Sequence, residues 1–164
     1  MNGLKRIILH WSAGAASNQV DDRDHYHEIV TRDGSRVLGK YRPEANISTS
    51  DGDGYAAHTL NLNTGSIGLA MDAMRGAVER PFSPGPEPIT ELQLTAFVAM
   101  VAEYCRRYGI AVTRETVLTH AEVQPTLKVT QRGKWDITWL PGMTAPGAPV
   151  AVGDVLRQMI AARK

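Results

Sequence analysis

Leu4-Lys5-Arg6-Ile7-Ile8-Leu9-His10 opens in mixed charge and closes in an apolar run that stops at a histidine. A short apolar run of this kind reads as a buried central strand, although periodicity alone does not separate it from a buried helix. Ser66 to Met71 reads as a second buried strand, and Thr116 to Thr119 as a short third one leading into His120. Tyr26 to Thr31 and Arg36 to Tyr41 flank Arg32-Asp33-Gly34-Ser35, and Asp-Gly between two such runs is the strongest short-range hairpin signal.

Helices stand around these strands. Thr90 with Gln93 three residues on makes a capping box, and Leu92, Phe97, Val98, Val101, Tyr104, Cys105 and Tyr108 recur at helical spacing up to a stop at Gly109. A last amphipathic helix is expected from about Asp154 to Ala162, with Val155, Leu156, Met159 and Ile160 on one face. The segment Ser12 to Asp24 reads as a polar loop, residues 43 to 64 as a long surface excursion, Arg80 to Pro88 as a proline-rich connector, and residues 121 to 149 as largely irregular. The expected fold class is α/β (mixed α+β): a central mixed β-sheet flanked by helices, in a single domain spanning residues 1–164.

Composition narrows the function. At 164 residues the chain is long enough to bury a core without stapling, and 43% hydrophobic with 21% charged residues is ordinary for a soluble protein. A formal net charge of +1 lacks the basic excess of a nucleic-acid-binding surface. The single cysteine, Cys105, excludes an internal disulfide and reads as a small buried hydrophobe. No run approaches the roughly 18–20 apolar residues that span a bilayer, and the N-terminal residues do not read as a signal peptide. The expectation is a monomer made in the cytosol, without membrane insertion or nucleic-acid partner, that needs another agent to reach anything beyond the inner membrane.

Of the histidines His10, His25, His27, His58 and His120, His10 and His120 each end a short apolar strand, where a rigid sheet presents side chains to a cleft. With the downstream Lys134-Trp135-Asp136 they form a candidate zinc site, because catalytic zinc takes three protein ligands of the His/Asp/Glu/Cys type and keeps one position open. Two imidazoles and one carboxylate leave the ion net positive, able to acidify water and polarise a carbonyl. Asp136 is the first choice for the third ligand, and Glu122 is the nearby alternative. Lys134, two residues before Asp136, points to the same side of an extended segment and would face a developing oxyanion.

Leu9-His10-Trp11-Ser12-Ala13, Tyr26-His27 followed by Arg32-Asp33-Gly34, Ala57-His58, Ser66-Ile67-Gly68-Leu69, His120-Ala121-Glu122, and Lys134 with Asp136 fall in one order. That order resembles the type-2 N-acetylmuramoyl-L-alanine amidases, a family that includes phage amidase endolysins and the peptidoglycan recognition proteins. The resemblance runs from about residue 4 to 142. It implies a central sheet with flanking helices, one Zn²⁺, and cleavage of the amide between the lactyl group of N-acetylmuramic acid and L-alanine in peptidoglycan. Position by position, it implies His10, His120 and Asp136 as zinc ligands, Lys134 as the catalytic lysine and Tyr26 as the tyrosine that assists catalysis in phage members. Other relatives use a glutamate two residues past the Ile-Gly pair, and here that position is Ala70. This pattern points to a phage or prophage endolysin released through a holin, with a recycling amidase or a non-catalytic recognition module as alternatives. His58 is expected to line the substrate groove and His27 to be structural. The chain departs from the family in a shorter His10–Tyr26 stretch and a longer His120–Asp136 gap, where spacing alone would select Lys128 and Thr130 instead; threonine is a poor zinc ligand.

Overall fold

In the computed structural model, which describes residues 3–14 and 21–163, the run that ends at His10 is an inner strand of a five-stranded sheet. The strands are β1 (Arg6–Trp11), β2 (Glu28–Val30), β3 (Arg36–Leu38), β4 (Ser66–Met71) and β5 (Val117–Thr119), ordered β3-β2-β4-β1-β5. β1 pairs in parallel with β4 and β5, β2 in parallel with β4, and β3 antiparallel with β2. The sheet is therefore mixed, as expected. Inner parallel strands are covered on both faces, which is why β1 and β4 read as continuous apolar runs rather than alternating ones.

Alternation still decides which face each side chain takes. Ile7, Leu9 and Trp11 of β1 and Ile67, Leu69 and Met71 of β4 belong to the main core. There they join Phe97, Val98 and Val101 of helix α2 (Glu91–Tyr108) and Leu156 and Ile160 of α4 (Pro149–Ala161). Each fully buried side chain of this size contributes about 1.5–3 kcal/mol. Ile8 lies on the opposite face, with Leu118 and with Val123 of α3 (His120–Leu127). His10, two residues beyond Ile8, shares that second face. Gly68 and Ala70 fall there too, so β4 offers it no bulky side chain.

α2 begins and ends as its sequence predicts. The Thr90 hydroxyl accepts the Gln93 N–H at 3.0 Å, and Gly109 closes the helix at φ 66°. Gln93 also donates to the carbonyls of Val30 and Asp72, tying the helix to the ends of β2 and β4. Leu92 is not on the buried face: it is 59% exposed, because the cap sets the helix phase so that Gln93, Leu94 and Phe97 turn inward. Cys105 is fully buried, as expected.

Three expectations are corrected. The hairpin is shorter than Tyr26–Tyr41, since Tyr26 terminates a helical turn, α1 (Asp22–His25), and precedes β2. The turn lies inside the segment read as a loop, whose residues 15–20 lie outside the described ones. The stretch expected to be irregular begins as a helix, α3 through Leu127, because Glu122 accepts the Thr119 N–H at 2.8 Å, and only residues 128–148 lack regular structure. α4 starts at Pro149, five residues before the expected Asp154, and proline at the first helical position is itself a start signal. The excursion over 43–64 is pinned by buried Asn46, which donates to the carbonyls of Ala56 and Asn63 and accepts the Ala56 N–H. Among the described residues no helix is long and apolar enough to cross a membrane.

Candidate metal centre

Three elements deliver one side chain each to a single point. His10 comes from β1, His120 from the first turn of α3, and Asp136 from the loop that follows. His10 Nδ1 lies 3.0 Å and His120 Nδ1 3.5 Å from Asp136 Oδ2. One ligand atom from each residue lies within 4.8 Å of the others, and all three residues are buried. Donor atoms around a tetrahedral zinc at about 2.0–2.2 Å stand roughly 3.3–3.6 Å apart, so a set this close is of the size and chemistry that suit that ion. The sequence-predicted triad is thus brought together.

Electrostatics support a cation there. Burial pushes the His10 imidazole down to about 4, so the ring is neutral at pH 7. Burial raises the Asp136 carboxyl, but hydrogen bonds and charge from His10 and His120 outweigh it, and its pKa is lowered. Neutral imidazole and ionised carboxylate are the states in which these groups bind a metal.

Glu122, the alternative ligand, is turned away. Its carboxylate is fully buried and paired with Arg157 of α4, at 2.7 Å and 3.1 Å. Lys128 and Thr130 contribute nothing to the triad: Lys128 caps α3 and its ammonium donates to the Pro125 carbonyl.

The triad opens into a cleft of about 280 Å³ bordered by Tyr26, His58, Lys134 and Trp135. Trp135 packs edge-on against Trp11 at 4.7 Å, which holds the loop carrying Lys134 and Asp136 against β1. Lys134 itself is exposed at the rim. Tyr26 stands 5.1 Å from His10, ring to ring, and its hydroxyl pKa is raised, by burial first and then by the charges of Asp136 and Asp22. The phenol therefore stays protonated.

His58 borders the cleft as expected, yet it is 9% exposed and its partners are internal. Its Nδ1 lies 3.2 Å from His10 Nε2 and 2.8 Å from the Thr59 hydroxyl. A Cβ on Gly68 would overlap the His58 ring, so only glycine leaves it room beneath β4. His27 is structural: its Nδ1 accepts the Gly68 N–H, and its Nε2 donates to Asn46 Oδ1. His25 lies apart from the triad, hydrogen-bonded to the Ala57 carbonyl. Gln131, which no sequence pattern marks, contacts His120 Nε2 through Oε1 at 2.8 Å.

Three further cavities meet the site at Lys134. One of about 630 Å³ runs past Arg80, Phe82 and Pro146, and another of about 440 Å³ past Tyr55, Leu60 and Arg132.

A family model described as N-acetylmuramoyl-L-alanine amidase matches residues 2–142. No curated protein matches the chain in sequence. The S. aureus hydrolase AmiA, solved with its ligand, is 12% identical, covers 99% of this chain and 74% of its own, and superposes with a TM-score of 0.58. AmiD from E. coli, solved with anhydro-N-acetylmuramic acid-L-Ala-D-gamma-Glu-L-Lys, is 23% identical over 83% of this chain and 53% of its own, with a TM-score of 0.53. The amidase LysC from Clostridium intestinale URNW is 15% identical over 94% and 87% of the two chains, with a TM-score of 0.52. These likenesses show a shared fold.

Proposed function

Because the chain belongs to the N-acetylmuramoyl-L-alanine amidase family, we propose that it cleaves the bond between the lactyl group of N-acetylmuramic acid and L-alanine with one zinc ion held by His10, His120 and Asp136. The observation that carries this reading is the convergence of two Nδ1 atoms and one carboxylate oxygen at the floor of the cleft. A zinc ion bound there would acidify a water molecule and polarise the scissile carbonyl.

The chain's own groups do the rest. Lys134, exposed at the rim, places its ammonium over the carbonyl oxygen and stabilises the negative charge that develops on it. Tyr26, held protonated, donates a hydrogen bond that orients the attacking water; it does not serve as a base. The proton given up by the attacking water passes to the amide nitrogen, so that L-alanine leaves as the amine and the lactyl group is left as a carboxylate. The cavities that share Lys134 with the cleft offer room for a substrate that extends beyond the scissile amide. Tyr26 at the site together with Ala70 in place of a glutamate supports an endolysin role, in which one catalytic domain acts on the wall after release from the cytosol.

The test is the release of new L-alanine amino termini from peptidoglycan, with and without chelator. Purified protein carrying stoichiometric zinc and releasing none would overturn the enzyme reading in favour of a peptidoglycan-binding module. Activity that survives complete removal of metal would overturn the zinc.

A further inference from the structure

Each candidate histidine ligand has a second ring nitrogen, and both of these point into the protein rather than into water. His120 Nε2 faces Gln131 Oε1 at 2.8 Å. The amide of Gln131 cannot be turned the other way, because its Nε2 donates to the Leu60 carbonyl at 3.0 Å, and a carbonyl only accepts. Oε1 therefore also only accepts, and His120 must carry its proton on Nε2. The lone pair is left on Nδ1, the nitrogen that faces Asp136.

The same logic runs beneath His10. His58 Nε2 faces the Ser66 carbonyl at 3.4 Å, so the proton of neutral His58 belongs there and His58 Nδ1 is an acceptor. His10 Nε2 meets that acceptor at 3.2 Å and so carries a proton as its donor. Again the lone pair is left on Nδ1, 3.0 Å from Asp136 Oδ2. With a metal ion bound, these two lone pairs and the Asp136 carboxylate oxygen would converge on it.

We propose that Gln131 and His58 are positioning residues that lock His120 and His10 in the Nε2–H tautomer, so that both present Nδ1 to the metal. This inference rests on the zinc reading above. Gln131 acts from the loop 128–136 and is fixed by the 43–64 excursion through Leu60, while His58 is part of that excursion. The excursion thus serves as the outer support of the metal site. Outer partners of ligating histidines are worth about 10–100-fold in metal affinity.

Zinc affinity is measured by competition with a chelating indicator in the wild type, Gln131→Met, Gln131→Glu, His58→Leu and Asp136→Ala. Gln131→Met removes the acceptor at near-constant volume, and it and His58→Leu are each expected to weaken zinc by about 10–100-fold. Gln131→Glu keeps an acceptor oxygen and is expected to recover most of the loss. In parallel, long-range proton–nitrogen NMR of the zinc-loaded wild type reads the tautomers directly, with Nε2 protonated in both His10 and His120. That readout holds even if a variant does not fold. An Nδ1 proton on either ring, or wild-type affinity in Gln131→Met, overturns the inference while leaving the metal site standing. Zinc that binds the wild type and Asp136→Ala equally, or neither, removes the metal site itself and the inference with it.

Discussion

At the scale of single residues, the proposed roles of holding a metal and of using it fall to differently placed groups. Asp136 is buried between two imidazoles, whereas Lys134, two positions earlier, is exposed at the cleft rim. Lys134→Ala should therefore leave zinc content unchanged and lower kcat by about 10²–10³-fold, the usual cost of one oxyanion donor. Metal analysis beside steady-state kinetics checks this, and a Lys134→Ala enzyme with unaltered kcat would remove the lysine from the mechanism. Tyr26→Phe keeps the ring beside His10 and deletes only the hydroxyl. It should also retain zinc, with kcat down about 10²-fold if the phenol orients water. That His10, His120 and Asp136 converge, with Lys134 and Tyr26 beside the same cleft, was readable from residue type, spacing and motif order. Gln131 and the inward role of His58 were not, because a hydrogen bond between a glutamine and a histidine eleven positions apart leaves no periodic trace. The sequence likewise allowed Glu122 as a ligand, since only the fold shows that Arg157 of a distant helix occupies it.

At the scale of elements, His120 is aimed by the way α3 is fastened. Glu122 caps the helix at Thr119 and is held by Arg157, which also donates to the Val117 carbonyl of β5. One buried ion pair thus links α4, α3 and β5 one turn from the metal site. Breaking such a pair by deleting one partner costs about 3–5 kcal/mol, since the remaining charge is stranded. Arg157→Met should lose stability on that scale in chemical denaturation; a loss below about 1 kcal/mol would mean the pair is not needed to fasten the helices. Gly153 is where α4 passes over this carboxylate, and a Cβ there would overlap it. Gly153→Ala, favourable in an ordinary helix interior, should here be destabilising. The strands and α2 were legible because apolar runs and a capping box are local signals. α3 was missed although Thr119-His120-Ala121-Glu122 carries the full pattern of such a box, because Pro125 and the later prolines made the region look irregular.

At the scale of the whole molecule, a row of buried histidines runs through the interior from β2 to the cleft. His27 and His58 lie 5.8 Å apart, His58 and His10 5.3 Å, and His10 and His120 4.8 Å, ring to ring. Like His10, His27 is pushed down to about 4, by burial, and burial and the neighbouring histidines lower His58 well below its ordinary value. A depressed histidine binds fewer protons folded than unfolded. Its contribution is therefore full above the unfolded value near 6.5 and is lost as pH falls toward 4. For His27 alone the difference corresponds to about 3 kcal/mol between pH 7 and pH 4. His27 is the member to test, because it stands outside the triad and hydrogen-bonds Asn46 and Gly68 rather than any residue of it. His27→Leu should be less stable than wild type at pH 7, since Asn46 Oδ1 and the Gly68 N–H lose their partner. Its stability should then fall less steeply than wild type between pH 7 and pH 5. Equal slopes for the two proteins in denaturant titrations of the metal-free chains would place the acid sensitivity elsewhere. The sign has a consequence for the enzyme. Histidine protonation loosens the scaffold on the same acidification that would protonate His10, so the fold and the proposed metal site should fail together.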